Sequence, residues 1–384
     1  MTSREKFLAT IAFKPGATPP NWEFAYWKDT IERWYTEGLP RKHGTFSSEN
    51  AQWISGSACP GSDGFTEEKY YGRDVEAFFE FDERVHMVGV DCISMIPPFE
   101  EKILSETKEN IEKICPDGKR VKIKKDGGSM PCFLDYPVHG RKEFDDIRRR
   151  FCAHSAGRYA HGWDAAYRNR TYPLQMGGGN IAGFYSVIRE MVGLEKSLYL
   201  FYDDPDFATE ILDFFLTYYT EIYTEILGKT DVDYLLIWED LAYKNGPLIS
   251  PDIFRKFILP YYKELTGRMK KLGVENFFVD TDGNFEALID LFLEGGITGF
   301  YPFEAAANMN VEIIRKRYPK LVLMGGIDKR ALADGKAAIH QEMNKVERVL
   351  GTGGYIPYTD HMVPPDVSFK NYCYFRKCLK EMIQ

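Results

Sequence analysis

No run in the sequence approaches the roughly 20 consecutive apolar residues that a membrane-spanning helix needs, so residence in a bilayer is not expected. Basic residues do not cluster either. The formal net charge is -8 and there is no long Lys/Arg run, which leaves little for a nucleic-acid backbone to hold. The seven cysteines (Cys59, Cys92, Cys115, Cys132, Cys152, Cys373 and Cys378) are scattered and contain no C-x-x-C pair. Free thiols in a reducing cytoplasm follow from that pattern. Internal repeats and low-complexity tracts are missing too. The opening Met1 to Lys14 does not read as a signal peptide, because charges interrupt its apolar residues and Thr2 and Glu5 have the spacing of a helix-capping box.

What is present suits a large folded domain. The 384 residues are 44% hydrophobic and 28% charged, enough apolar material for a sizeable core and too much for disorder. Short β-rich runs alternate with helical patterns, the signature of a parallel sheet. The expected strands are Asn21 to Tyr26, Asp91 to Ile96, Tyr172 to Met176, Tyr234 to Trp238, Asn276 to Asp280, Gly299 to Phe303, Leu321 to Met324 and Tyr355 to Thr359. Several are nearly continuous apolar runs, as strands covered on both faces should be. Between them, Phe207, Ile211, Phe214, Tyr218, Ile222 and Ile226 recur at helical spacing, and Ser250-Pro251 reads as a cap and first residue of a helix running to about Lys271. Eight strands with helices between them predict one (β/α)8 TIM-barrel domain over residues 1–384, a doubly wound open sheet being the competitor. The long interval between the second and third strands holds Arg120 to Lys124 and Cys132 to Tyr136 around Asp126-Gly127-Gly128-Ser129, which predicts an inserted β-hairpin. Another excursion, rich in glycine (Gly44, Gly56, Gly61, Gly64), separates the first two strands.

In a barrel the residues just after each strand converge on one face, and chemistry is done there. That face is expected to be acidic. Glu239 and Asp240 follow one strand, Asp280 and Asp282 the next, then Glu304, Asp328, and finally Asp360-His361. So many carboxylates in one mouth repel each other unless protons or a cation neutralise them. A divalent metal is the economical cation, and carboxylates with one imidazole suit zinc. The plainer alternative is that individual acids cap the helices that follow. Glu239, Asp280, Asp282 and His361 are the candidate catalytic residues, and Glu239, Asp282, Glu304 and His361 the candidate metal ligands. Trp22, Glu23, Tyr26 and Trp27 at the first strand, with Gln175 and Gly178 at the third, are the candidate substrate-binding residues. The Gly177-Gly178-Gly179-Asn180 run lacks both the P-loop lysine and the dinucleotide fingerprint, and reads as a tight turn bringing backbone close to a ligand.

Five segments, Gly89-Val90-Asp91, Ser250-Pro251-Asp252-Ile253-Phe254, Asp280-Thr281-Asp282-Gly283-Asn284, Met324-Gly325-Gly326-Ile327-Asp328 and the surroundings of His361, resemble the uroporphyrinogen decarboxylase-like superfamily. The resemblance implies a (β/α)8 barrel and either decarboxylation or methyl transfer to corrinoid proteins. It departs from the true decarboxylases in two places. Trp22 to Trp27 lacks the two arginines of their early loop, and Ser94-Met95-Ile96-Pro97-Pro98 lacks their strand-ending aspartate. It also departs from the thiol methyltransferases, whose His-x-Cys zinc motif is matched here by Asp280 and Asp282. Such a harder site suits an oxygen substrate. The stretch from Trp22 to Tyr35 is similar to the methyltransferases of anaerobic O-demethylation. That implies a small methylated substrate, a methoxylated aromatic among them, and a zinc ion. The corrinoid would be carried by a partner protein, because this chain has no D-x-H-x-x-G motif. A homodimer is compatible with the sequence but not specified by it. A diverged decarboxylase or lyase, and a non-catalytic ligand-binding barrel, are the alternatives.

Overall fold

The computed structural model describes residues 1–43, 53–55 (backbone only), 72–125, 131–165, 167–179 and 182–383. Cys59, the glycines at 44, 56, 61 and 64, the turn Asp126 to Ser129, and Asn180 lie outside the described residues.

Seven parallel strands pair in the order Tyr355–Ile356, Val322–Met324, Gly299–Pro302, Phe277–Thr281, Tyr234–Trp238, Leu174–Gly177, His86–Met87. The segment around the first strand closes the ring; the strand itself is Ala25–Trp27, shorter than the expected Asn21 to Tyr26, and pairs antiparallel with Trp53–Ser55. Its Tyr26 forms a parallel bridge with Val363 on one side, and on the other the Asn21 carbonyl accepts the Asp82 amide at 3.1 Å. The result is a TIM barrel. Its centre is filled by side chains from alternate strand positions, among them Trp22, Phe24, Tyr234, Leu236, Phe278, Tyr301, Met324 and Tyr358. The N-terminal helix Ser3–Ile11, capped by the Thr2/Glu5 box, plugs the floor. There the Phe7 ring lies 5.7 Å from Trp22, 5.5 Å from Tyr234 and 6.2 Å from Phe278.

The helices form an outer shell, and their ends follow the expected chemistry. Asp204 accepts the Phe207 amide at 3.0 Å and starts Pro205–Leu227, while Ser250 Oγ accepts the Ile253 amide at 3.2 Å. The segment after Ser250 is not one uniform helix. It passes through a π-turn at Phe254–Ile258 before Leu259–Lys271. Pro260, near the start of the last part, has no N–H to continue the α-helical ladder, which favours such a wider turn.

The second strand differs from expectation. It is His86–Met87, and Asp91 to Ile96 is a bend in which Asp91 Oδ1 accepts the amides of Ile93 (3.1 Å) and Ser94 (2.8 Å). An aspartate that can hydrogen-bond the backbone two and three residues ahead stabilises a turn over a strand. The region between the second and third barrel strands carries more than two strands. Lys102–Glu106, Asn110–Ile114, Arg120–Lys124 and Cys132–Asp135 form a four-stranded antiparallel sheet, in which Val121 lies opposite Phe133. This sheet is anchored by Lys119, which is buried and ion-paired with Glu190 of the helix Phe184–Val192 and, at 2.9 Å, with Asp117. Among the described residues no helix is long and apolar enough to cross a membrane.

Candidate active site at the strand ends

The fifth strand in ring order, Phe277–Thr281, ends in Asp280, Thr281 and Asp282, and the acidic mouth is organised around it. Asp280 projects from the strand end, and burial together with the nearby charge of Asp240 pushes its carboxyl well above the usual range. Asp282 is pushed well up by burial, by Glu304 and by Asp240 and Asp280, with Lys329 opposing. Its side chain keeps 41% of its surface open, so water screens part of that repulsion. His361 Nε2 stands 3.5 Å from Asp282 Oδ2. Burial, and then the charge of Lys329, lower this imidazole to about 3, so it is neutral at neutral pH. Its ring packs against Phe24 at 5.0 Å, and Phe24 in turn lies 6.3 Å from Tyr301 and 6.2 Å from Tyr358. The mouth therefore pairs an aromatic wall with two carboxyl groups whose affinity for a proton is raised and one neutral imidazole.

The remaining acids are tied down. Asp240 receives Arg189 at 3.0 Å, and the same guanidinium lies 5.2 Å over the Trp238 ring. Glu304 follows Phe303, a non-glycine residue with φ of 59°, and accepts the Gly283 amide at 3.0 Å. Asp360 is buried and accepts the amides of Ala305 (2.9 Å) and Lys329 (3.1 Å). Asp328 caps the helix Lys329–Asp334; burial raises its carboxyl, but hydrogen bonds from the Arg330 side chain and amide outweigh this and leave it lowered. For Asp328 the capping alternative is the one the structure displays.

Glu239 does not join the mouth. Its oxygens accept the amides of Phe184 (2.8 Å) and Ser186 (2.6 Å) and the hydroxyl of Tyr262 (2.5 Å), with no surface exposed. Burial raises its carboxyl, and these donors oppose the rise. The residue clamps the start of the helix Phe184–Val192 to the fourth strand, a structural task that uses the lone pairs a metal or substrate would need.

The residues expected to bind substrate divide in the same way. Trp22 lies on the floor against Phe7, its indole donating to the Glu83 carbonyl at 3.1 Å, at the end of the barrel opposite the mouth. Glu23 alternates with Trp22 and Phe24 and so points outward, to Tyr372 (2.9 Å) and Arg376 (3.4 Å) of the C-terminal helix Phe369–Ile383. Its other oxygen accepts the Thr359 amide at 2.9 Å, while the Thr359 hydroxyl lies 2.6 Å from it and 2.8 Å from the His361 carbonyl. Glu23 thus supports the loop that carries His361, with both oxygens engaged by the protein. Tyr26 is buried outside the barrel, 3.0 Å from the Tyr372 hydroxyl and edge-on to Trp34. Gln175 is buried within the barrel, accepting the Tyr234 hydroxyl at 2.6 Å. At Gly178 (φ 92°) a Cβ would come within 2.8 Å of Gln175 Nε2, and at Gly177 (φ 78°) within 2.5 Å of the Leu236 carbonyl. Contact with the protein itself already requires glycine at both positions. Trp27, half-buried where the first strand becomes a helix, remains at the rim.

The fit of a zinc ion follows from these positions. Glu239 is engaged elsewhere, and among the described residues no three His, Cys, Asp or Glu side chains are grouped as metal ligands. The four expected ligands do not form a tetrahedral set. Two basic residues that the strand-end reading passed over, Arg189 and Lys329, stand beside the acids instead. Lys329 directly follows Asp328 and was legible only as a charge next to an acid.

The profile of the family described as uroporphyrinogen decarboxylase (URO-D) matches residues 121–382, more than half of the chain. The chain belongs to the uroporphyrinogen decarboxylase family. Among solved structures, a methyltransferase from Methanosarcina mazei is similar over 100% of both chains, with a TM-score of 0.61 and 14% identity. A B12-independent methionine synthase from Shewanella sp. W3-18-1 is similar over 74% of this chain and 73% of that one, with a TM-score of 0.34 and 11% identity. No curated protein matches the sequence.

Proposed function

We propose that this member of the uroporphyrinogen decarboxylase family is a methyltransferase that takes the methyl group of a methyl ether, a methoxylated aromatic above all. The acceptor is the reduced cobalt of a corrinoid on a separate protein. The observation that carries this reading is the pair of carboxyls Asp280 and Asp282, both pushed well up by burial and neighbouring acids, beside the neutral His361 and the Phe24 wall. An ether oxygen leaves poorly as an anion, so the break of its C–O bond needs a proton delivered to it. Asp280 or Asp282 gives that proton as the oxygen takes the bonding electrons and departs as an alcohol or phenol. The methyl carbon is taken by the incoming nucleophile with the nucleophile's own electron pair. The carboxylate is then reprotonated from solvent, beside the neutral His361 that stands 3.5 Å from Asp282. The aromatic wall suits a flat substrate ring. Likeness of the whole chain to a protein named a methyltransferase supports the same reading.

A protonated carboxyl would serve a decarboxylase equally well by protonating the carbon left after carbon dioxide departs. The test therefore measures both products. The purified chain is incubated with methoxylated aromatics and a reduced corrinoid protein, and separately with carboxylated aromatics. Release of the demethylated phenol only when the corrinoid protein is present is expected. Carbon dioxide release with no demethylation would overturn the proposal, and ligand binding without either product would leave a binding barrel.

A further inference from the structure

The acidic mouth already contains a cation. Lys329 Nζ lies 3.5 Å from Asp360 Oδ1 and 3.8 Å from Glu304 Oε1, on a side chain that is only 20% exposed. Its backbone is fixed as well, because its amide donates to the same Asp360 oxygen at 3.1 Å. Glu304 in turn holds the Gly283 amide, next to Asp282, and Asp360 adjoins His361. The ammonium is thus built into the middle of the residues that the family resemblance would give to a metal. We propose that Lys329 is the resident positive charge of this mouth, standing between Glu304 and Asp360 in place of a zinc ion and positioning the Asp282–His361 pair.

Two further features agree. Arg189 pairs with Asp240 on the other side of the mouth, so Asp240, Glu304 and Asp360 face two fixed cations. A divalent ion bound by Asp282, Glu304 and His361 would sit against the Lys329 ammonium, a like-charge contact that opposes binding. This inference concerns what the mouth holds and does not depend on which substrate it turns over.

Zinc chloride titrated into chelator-stripped, full-length protein tests it, read by elemental analysis after desalting and by the melting temperature. Wild type is expected to keep less than about one tenth of an equivalent of zinc and to melt at the same temperature with and without it. Lys329→Met, which leaves the acids uncompensated, is expected to bind zinc at least about tenfold more tightly and to gain a zinc-dependent rise in melting temperature. Lys329→Arg, which keeps the charge, should behave as wild type. One tightly held zinc per wild-type chain, lost in His361→Ala, would overturn the proposal. The wild-type titration decides the matter by itself if the methionine variant does not fold. Because no methyl donor enters the experiment, its outcome stands apart from that of the demethylation assay.

Discussion

His361 Nε2 and Asp282 Oδ2 meet 3.5 Å apart across the mouth, joining the loop after the last strand to the end of the fifth in ring order. Nothing in the core depends on this contact, but the proposed proton delivery does. Asp282→Ala and His361→Ala are each expected to lower turnover by at least about 100-fold. Asp282→Ala also removes a carboxyl whose ionised form burial and Glu304 disfavour, so it should melt no lower than wild type. Turnover and thermal melts on the same preparations check both points, and near-wild-type turnover in both variants would remove the pair from the mechanism.

Glu239 makes the opposite prediction. Its carboxylate satisfies two backbone amides at the start of a buried helix and receives a tyrosine hydroxyl. Glu239→Ala strands those donors and should cost about 3–5 kcal/mol of stability, whereas Tyr262→Phe, which removes one hydroxyl, should cost about 1 kcal/mol. Denaturant unfolding measures both. A Glu239→Ala protein that unfolds like wild type yet turns nothing over would return Glu239 to the chemistry.

The difference between these two acids marks how far the sequence could be read. Strand runs such as Tyr234–Trp238 are visible because burial on both faces leaves an uninterrupted apolar stretch, and the acids that follow them are visible as a pattern. Which way each acid turns is not visible, since Glu239 and Asp240 are neighbours with opposite partners. The outward turn of Glu23 became clear only with Arg376, which lies far along the chain and contacts it through the C-terminal helix. His86–Met87 is too short to show as a strand, while the apolar residues after Asp91 imitate one. Lys329 carried no motif, and its role depends on the return of Glu304 and Asp360 to the same spot.

Glu23 and Arg376 form an ion pair at 3.4 Å with almost no exposed surface. Removing one partner of such a pair leaves the other buried and uncompensated. Arg376→Met should therefore destabilise the fold by about 3–5 kcal/mol. Glu23→Gln should cost less stability but loosen Thr359 and the His361 loop, lowering turnover more than substrate affinity. Unfolding curves, with kcat and KM measured separately, test this. A rise in KM alone for Glu23→Gln would instead support a direct contact with substrate.

Glu76, in the helix Arg73–Phe79, offers a pH test remote from the mouth. Its Oε1 is buried without a hydrogen-bond partner among the described residues, and burial pushes the carboxyl from 4.5 up to about 8, with Arg84 opposing. The folded state thus binds this proton more tightly than the unfolded state does. The stability it contributes is complete below pH 4.5, falls as pH rises through about 8, and is level above that. Over this span the loss is on the order of 5 kcal/mol. Glu76→Gln cannot ionise, so its stability should fall less than that of wild type between pH 5 and pH 8.5. Urea unfolding at the two pH values gives the comparison, and parallel losses in the two proteins would show that Glu76 ionises as freely in the folded chain as in the unfolded one.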